Sequence, residues 1–170
     1  LPPGRKYERG TRPGLDLASL LRTGRHVSAR EALALLDQVI FNILVANTDA
    51  HAKNYSLILP IAGPPRLAPL YDVSSVLAWP HVVQAYAQNI AGKKRTAEGI
   101  AARHWAAIAQ EVGFRPRDVL TRVEELIDGI VAKRVDVTEA VARLPGATEG
   151  YAVQTAELVE ANALRMGGRL

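Results

Sequence analysis

The chain has 170 residues, a formal net charge of +4 and a sequence pI near 9.6. Its length predicts one domain with a real core, and so small a charge excess is typical of solubility, while phosphate or nucleic-acid contact stays open. The absence of Cys excludes disulfides and thiolate metal sites, and no apolar run is long enough to span a membrane, which suits a cytoplasmic protein.

The composition favours helix over sheet, because Ala is abundant and aromatic residues make up only 5% of the chain. Residues 1–14 are rich in Pro, Gly and Arg and predict irregular backbone, followed by a short helix over 15–21 that ends before Gly24. Ser28 and Glu31 form a capping box, so a helix is predicted from about residue 29 to residue 46. Its wide apolar stripe, which indicates burial, consists of Leu33, Leu35, Leu36, Val39, Ile40, Ile43 and Leu44.

A β-hairpin is predicted next, with strands over 55–59 and 66–70 and a Pro-rich turn between them. The polar segment Asn47–Asn54 therefore lies on the loop between the long helix and the hairpin. Because a hairpin folds the chain back on itself, we expect it to return Asp72 to the neighbourhood of Asn54.

The second half predicts four more helical segments, at about 100–112, from Pro116 onward, at about 137–142 and at about 151–165. Gly113 is a natural helix stop, Pro116 suits a first helical turn, and Gly129 weakens the helix that contains it. The predicted fold class is mainly α with a small β-hairpin, in one domain over residues 1–170. The predicted inward-facing residues of these helices are Ile100, Trp105, Ile108, Val112, Val119, Val123, Leu126, Ile130, Val131, Ala156, Leu158, Val159 and Ala163.

Asp49, Asn54 and Asp72 match the chain order of a magnesium-dependent phosphoryl-transfer site. Protein kinases place a metal-binding Asn five residues after the catalytic Asp, and a later Asp completes the metal site. We therefore expect Asp49 to act as the catalytic base and Asn54 and Asp72 to bind the metal. Each residue also has a structural interpretation: Asp49 at a helix end, Asn54 capping a strand, and Asp72 in a turn.

Four blocks of the chain resemble HipA-like serine/threonine kinases, the toxin halves of bacterial toxin–antitoxin pairs. The blocks are Phe41–Leu57, Leu67–Ser75, Gly92–Arg95 together with Arg103–Trp105, and Asn162–Arg165. The resemblance extends from about Lys6 onward. It implies the helical C-terminal lobe of a two-lobe protein-kinase-like fold, with ATP and Mg²⁺ as cofactors.

The same resemblance implies a set of nucleotide contacts: His51, Ala52, Lys53, Asn54, Tyr71 and Asp72. Lys53 would neutralise phosphate charge in the transition state. His51 has an equally good structural interpretation, as a histidine that orients the loop. Tyr71 is expected to pack against either the nucleotide or the core.

A complete kinase of this family also needs an N-terminal lobe that covers ATP, and this chain has no Gly-rich loop between a strand and a helix. We therefore expect it to be the C-terminal lobe alone, inactive by itself. The resemblance implies three partners: a helix-turn-helix antitoxin, operator DNA through the antitoxin complex, and a protein substrate such as an aminoacyl-tRNA synthetase. The alternative is a catalytically silent lobe that binds antitoxin or DNA, in which the basic segment Lys93–Arg95 is either a contact surface or a solvated loop.

Two other enzyme classes fit less well. A metallohydrolase site would combine Asp49, His51, Asp72 and His81, but such chemistry usually needs a richer cluster of His and Asp. Nucleophilic Ser/His/Asp catalysis is also disfavoured, because the sequence contains no Gly-x-Ser-x-Gly elbow.

Overall fold

The computed structural model describes residues 16–170, apart from the side chains of Arg25 and Glu149. The predicted irregular stretch 1–14 and its basic residues lie outside the described residues. The described part contains five α-helices and one hairpin, besides two 3₁₀ turns and irregular segments: α1 Leu17–Arg25, α2 Ala29–Leu44, β1 Leu57–Ile58, β2 Arg66–Leu67, α3 Ala102–Val112, α4 Pro116–Ala142 and α5 Glu149–Gly167. This confirms the predicted fold class, and none of the described helices combines the length and apolar content needed to cross a membrane.

Helix α2 is the centre of the core and contacts α1, α4 and α5. Its apolar residues pack with those of α3, of the first half of α4 and of the end of α5. Ala163 near the end of α5 is fully buried, while Ala156 and Val159 near its start are only half-buried. The most deeply buried large side chains include Leu21, Ile40, Leu44, Trp105, Val119, Val123 and Met166.

The short first helix runs through Gly24, where the sequence predicts its end. Asp16 caps the helix by accepting a hydrogen bond from the backbone N–H of Ser19 at 2.6 Å. A Cβ atom placed on Gly24 would lie 3.0 Å from the Cα atom of Ala32. Gly24 therefore permits the close approach of α1 to α2, and its role as a helix stop is a wrong prediction.

Helix α2 begins where predicted, since Ser28 Oγ accepts from the Glu31 N–H at 3.1 Å. The second half of the predicted capping box is wrong, because the Ser28 N–H donates to the Gly24 carbonyl and the Glu31 carboxylate accepts from the Leu67 N–H instead. It ends at Leu44, two residues earlier than expected, because Ala46 adopts a left-handed φ of 54°. The Asn47 N–H then donates to the Asn42 carbonyl at 2.8 Å, which closes a Schellman-type end. Leu33 is 53% exposed, so its assignment to the buried stripe is wrong.

The hairpin is antiparallel and pairs Leu57 with Leu67 and Ile58 with Arg66. Its strands are shorter than predicted, because the flanking prolines at 60, 64 and 65 cannot donate to a ladder. β1 is exposed and β2 is at most half-buried, so little apolar packing extends the pairing.

Helices α3 and α4 meet at a glycine and a proline, as predicted. Gly113 follows α3 with a left-handed φ of 76°, and Pro116 opens α4. α4 then continues unbroken to Ala142, which corrects the prediction of a separate segment at 137–142. Beyond Gly129 the helix packs along α5, and Arg134 forms an ion pair with Glu160 at 3.0 Å.

Two Gly-to-Ala substitutions are expected to change stability in opposite directions. Gly113→Ala should lower the free energy of unfolding by roughly 1–2 kcal/mol, because the left-handed region is strained for a residue with a Cβ. Gly129→Ala should raise it by about 0.5–1 kcal/mol, because it lies within α4 and a Cβ there meets no atom within 4 Å. Urea unfolding followed by circular dichroism measures both, and equal effects of the two substitutions would contradict these backbone assignments.

Candidate active site

The segment between α2 and the hairpin forms a tight loop that exposes one carboxylate. The His51 N–H donates to the Asp49 carbonyl at 2.6 Å, and a single 3₁₀ turn then covers Ala52–Asn54. Within this turn the Asn54 N–H donates to the His51 carbonyl at 2.9 Å. The Asp49 side chain is exposed, whereas Asn54 is 4% exposed. The loop therefore offers the Asp49 carboxylate to solvent and holds the Asn54 amide inside.

The hairpin brings Asp72 next to Asn54. Asn54 Nδ2 donates to Asp72 Oδ2 at 2.5 Å, across 18 residues of sequence. Asp72 has a left-handed φ of 55°, a conformation that costs a non-glycine residue roughly 1–2 kcal/mol but that Asp tolerates better than most. Its backbone carbonyl accepts from Asn47 Nδ2 at 3.1 Å. Asp72 is therefore fixed to the loop through both its side chain and its backbone.

The Asn54–Asp72 pair has the chemistry of a magnesium site. Asn54 Oδ1 is buried and has no hydrogen-bond partner in the described part of the chain. A half-turn of the amide exchanges its oxygen with Nδ2 and presents two oxygen atoms, one amide and one carboxylate, to a shared cation. Mg²⁺ usually takes one or two protein carboxylates and completes its shell with water and phosphate. The donor set therefore fits Mg²⁺.

The metallohydrolase alternative finds no support in the geometry. Among residues 16–170, no three His, Cys, Asp or Glu side chains gather closely enough to hold a metal ion. A catalytic zinc site usually has three such ligands. Asp49, His51, Asp72 and His81 therefore do not form that kind of centre.

The other residues predicted to contact the nucleotide differ in their exposure to solvent. His51 and Ala52 are 7% and 8% exposed, so their side chains belong mainly to the loop interior. Lys53 is exposed. The Tyr71 hydroxyl donates to the Lys53 carbonyl at 2.7 Å and lies 2.6 Å from Ser56 Oγ. Burial favours the structural interpretation of His51, while Tyr71 ties the segment before Asp72 to the end of the loop.

Two buried amides of the site are absent from the sequence-based set. Asn47 Nδ2 donates to Asn42 Oδ1 at 2.8 Å as well as to the Asp72 carbonyl. Asn42 Nδ2 in turn donates to the Gln38 carbonyl at 3.0 Å and to the Tyr55 hydroxyl at 3.2 Å. Burial raises the pKa of Tyr55 well above its usual value, so this hydroxyl keeps its proton. The signal in the sequence is Asn42 itself, a polar residue inside the apolar stripe of α2.

Helix α2 also holds the hairpin through longer polar side chains. Glu31 Oε2 accepts from the Leu67 N–H at 2.5 Å, and Gln38 Nε2 donates to the Ala68 carbonyl at 2.7 Å. With Asn42, these residues form a polar stripe along one side of α2, at positions 31, 38 and 42. The stripe fixes β2 and the segment that leads to Asp72.

An apolar cavity of about 820 Å³ opens elsewhere, between α4, α5 and the end of α2. None of the predicted site residues lines it. Its walls are mostly aliphatic, and one of its two cationic residues, Arg134, is paired with Glu160. This cavity lacks the oxygen ligands that a magnesium–phosphate site requires.

Comparison with known proteins gives a consistent set of relatives. The model of the family described as "HipA-like C-terminal domain" matches residues 1–134. "Putative kinase Y4mE" of Sinorhizobium fredii is 35% identical over 159 residues, which cover 93% of this chain and 36% of that protein. "Putative kinase Y4dM" of the same organism is 28% identical over 95 residues, which cover 56% of this chain and 22% of that protein. The chain thus spans little more than a third of the length of Y4mE and less of Y4dM.

The fold also matches a solved structure. A chain in the complex of the Shewanella oneidensis MR-1 toxin–antitoxin system, which contains HipA, HipB and operator DNA, superposes with a TM-score of 0.79. The match covers 98% of this chain and 41% of that chain, at 24% sequence identity. At this identity the likeness establishes the shared fold.

Proposed function

The chain belongs to the HipA-like C-terminal domain family, and from that premise we propose that it is the catalytic lobe of a protein serine/threonine kinase. The reaction is transfer of the γ-phosphoryl group of ATP to a protein hydroxyl, with Mg²⁺ as cofactor. The observation that carries the proposal is the pairing of Asn54 with Asp72 at 2.5 Å beside a loop that exposes Asp49. Kinase names among the relatives support the same reaction class.

In this proposal Asp49 acts on the substrate hydroxyl. Its exposed carboxylate accepts a hydrogen bond from the hydroxyl and orients the oxygen toward the phosphorus atom. It receives the proton as the new oxygen–phosphorus bond forms, while the bond between the γ-phosphorus and the bridging oxygen breaks and ADP leaves. Exposure suits this role, because the acceptor hydroxyl arrives on another protein.

Asn54 and Asp72 would hold Mg²⁺, and the bound ion would supply positive charge that neutralises the phosphate oxygens during transfer. Asn54 would contribute its amide oxygen, after a half-turn of the amide, from a side chain that is only 4% exposed. Asp72 contributes a carboxylate whose backbone is held in the left-handed conformation. The exposed Lys53 is available to phosphate oxygens on the same loop.

The partners follow from the same family. HipB and operator DNA accompany HipA in the solved complex, so we propose a small DNA-binding antitoxin, and operator DNA through it, as partners of this chain. A component of translation such as an aminoacyl-tRNA synthetase is the proposed class of protein substrate. We also propose that the lobe covering ATP lies outside these residues, since the chain matches only 36% of Y4mE.

A comparison of the complete gene product with the isolated chain tests the function. The complete gene product should transfer ³²P from ATP to protein Ser or Thr only with Mg²⁺ present. The isolated chain of 170 residues should fold but transfer essentially nothing, because its sequence has no Gly-rich loop between a strand and a helix that would cover the phosphates. Phosphoamino-acid analysis identifies the acceptor.

Two outcomes of that comparison would contradict the proposal. Transfer by the isolated chain would mean that residues 1–170 contain an unrecognised phosphate-covering element. A complete gene product that binds its antitoxin and operator DNA, yet neither binds Mg·ATP nor transfers phosphate, would favour the silent binding lobe instead.

A further inference from the structure

We propose that Asn47 is a positioning residue that sets the conformation of Asp72 and thereby makes the Asn54–Asp72 pair able to bind a divalent cation. This inference rests on the proposed function, because it assigns a task to Asn47 within the same site. Asn47 itself touches neither Asp72 oxygen that would bind the cation. It acts through the Asp72 backbone.

Both hydrogens of the Asn47 amide are committed. One is donated to Asn42 Oδ1 at 2.8 Å and the other to the Asp72 carbonyl at 3.1 Å. Asn47 is 1% exposed, so water does not readily replace either bond. The amide thus links a residue of α2 to a backbone atom 25 positions later in the chain.

The bond to Asp72 acts at a residue whose backbone is in the left-handed region. A left-handed φ of 55° costs a residue that carries a Cβ roughly 1–2 kcal/mol, less for Asp than for most, so a contact with the surrounding structure helps to hold it. The Asn47 amide provides that support at the carbonyl, while the carboxylate of the same residue meets Asn54. Without the support, Asp72 would relax toward an ordinary φ and its carboxylate would turn away from Asn54.

Asn42 keeps the supporting amide in place. Its own Nδ2 donates to the Gln38 carbonyl and the Tyr55 hydroxyl, which leaves Oδ1 pointing at Asn47. If an oxygen replaced Asn47 Nδ2, it would lie against two other acceptor atoms, Asn42 Oδ1 and the Asp72 carbonyl oxygen, and would repel both. Asn47→Asp is therefore the most informative change, since it preserves shape and removes both donors.

The experiment measures two properties of the isolated chain by nuclear magnetic resonance. The first is the exchange rate of the Asn54 side-chain amide hydrogens with water, which reports the Asn54–Asp72 bond. The second is broadening of the Asn54 and Asp72 resonances by Mn²⁺, used as a paramagnetic substitute for Mg²⁺. We expect Asn47→Asp to increase the exchange rate toward that of an unprotected amide. Its Mn²⁺ affinity should fall by about 10–100-fold, as is typical when a partner that orients a metal ligand is lost.

Asn162→Asp is the matched control. Asn162 is also buried, at 4% exposure, and its Nδ2 donates at 2.7 Å to the carbonyl of Leu44, the last residue of α2. Its side-chain hydrogen bonds join it to Leu44 and Arg165, and neither involves Asp72. We expect this variant to lose stability while its Asn54 exchange rate and Mn²⁺ affinity match those of the parent.

A second variant keeps the test decisive if Asn47→Asp does not fold. Asn47→Ala removes the donors without burying a charge, and it should show the same two changes in smaller amount. Either folded variant with parental exchange and parental Mn²⁺ affinity would overturn the inference, as would an equal loss in Asn162→Asp. Should Mn²⁺ broaden nothing in the parent chain, the proposed metal site is wrong, and the exchange rates alone decide the role of Asn47.

Discussion

Replacing Asp49 with Asn in the complete gene product should lower the rate of phosphoryl transfer by roughly 10²–10⁴-fold, the usual contribution of a positioned general base. Asn has nearly the shape of Asp, but its amide cannot take a proton from the substrate hydroxyl. The Asp49 side chain is exposed and takes no part in the Asn54–Asp72 bond, so affinity for Mg·ATP should change little. A phosphorylation assay measures the rate, and calorimetric titration measures the affinity.

Asp136→Asn is a suitable control for that experiment. Asp136 is an exposed carboxylate on α4, far in sequence from the loop, and its replacement removes the same charge. This control variant should transfer phosphate at the parental rate. If Asp49→Asn does so as well, Asp49 is not the catalytic base.

Replacing Asp72 with Asn should weaken both Mg²⁺-dependent nucleotide binding and transfer. The change removes a carboxylate from a two-residue donor set, and a hard cation binds an amide more weakly than a charged oxygen. Affinity for Mg·ATP should fall by at least the roughly 10–100-fold that is lost when only a supporting partner of a metal ligand is removed. Calorimetry at several Mg²⁺ concentrations separates this loss from a defect in chemistry alone.

The two substitutions are thus expected to impair different properties: Asp49→Asn lowers the transfer rate alone, and Asp72→Asn also lowers the affinity for Mg·ATP. Asp128→Asn, an exposed position on α4, controls for the lost charge in the second case. Parental binding of Mg·ATP by Asp72→Asn would remove Asp72 from the metal site. The structural alternative, a turn residue that bonds the neighbouring backbone, would then be the better interpretation.

Helix ends and turns could be predicted from the sequence, because each depends on residues that are adjacent in the chain. The cap at Ser28, the stop at Gly113 and the start at Pro116 each require only a few adjacent positions, and the structure has all three. The hairpin was predictable for the same reason, and with it the return of Asp72 toward Asn54. The catalytic and metal-binding roles of these residues stay predictions.

The features that escaped prediction depend on contacts between distant parts of the chain. Gly24 resembles a helix stop until Ala32 is seen packed against it. Residues 137–142 resemble a separate helical segment beyond the weakening Gly129, but they continue α4, which packs against α5. Asn47 resembles an ordinary loop residue, because its partner at Asp72 lies 25 positions away. Periodicity and capping contain no information about such pairs.

The polar stripe of α2 holds the hairpin between its tip and Asp72, so a change at the tip need not reach the site. Glu31 and Gln38 clamp the backbone at Leu67 and Ala68, on the side of the hairpin that leads to Asp72. The turn beyond the clamp is exposed at every position from 59 to 66. Added residues in such a turn cost little loop entropy and disturb no buried contact. The tip between Pro60 and Pro65 is therefore the natural insertion point for an affinity tag or a fluorescent reporter that must leave the carboxylates undisturbed.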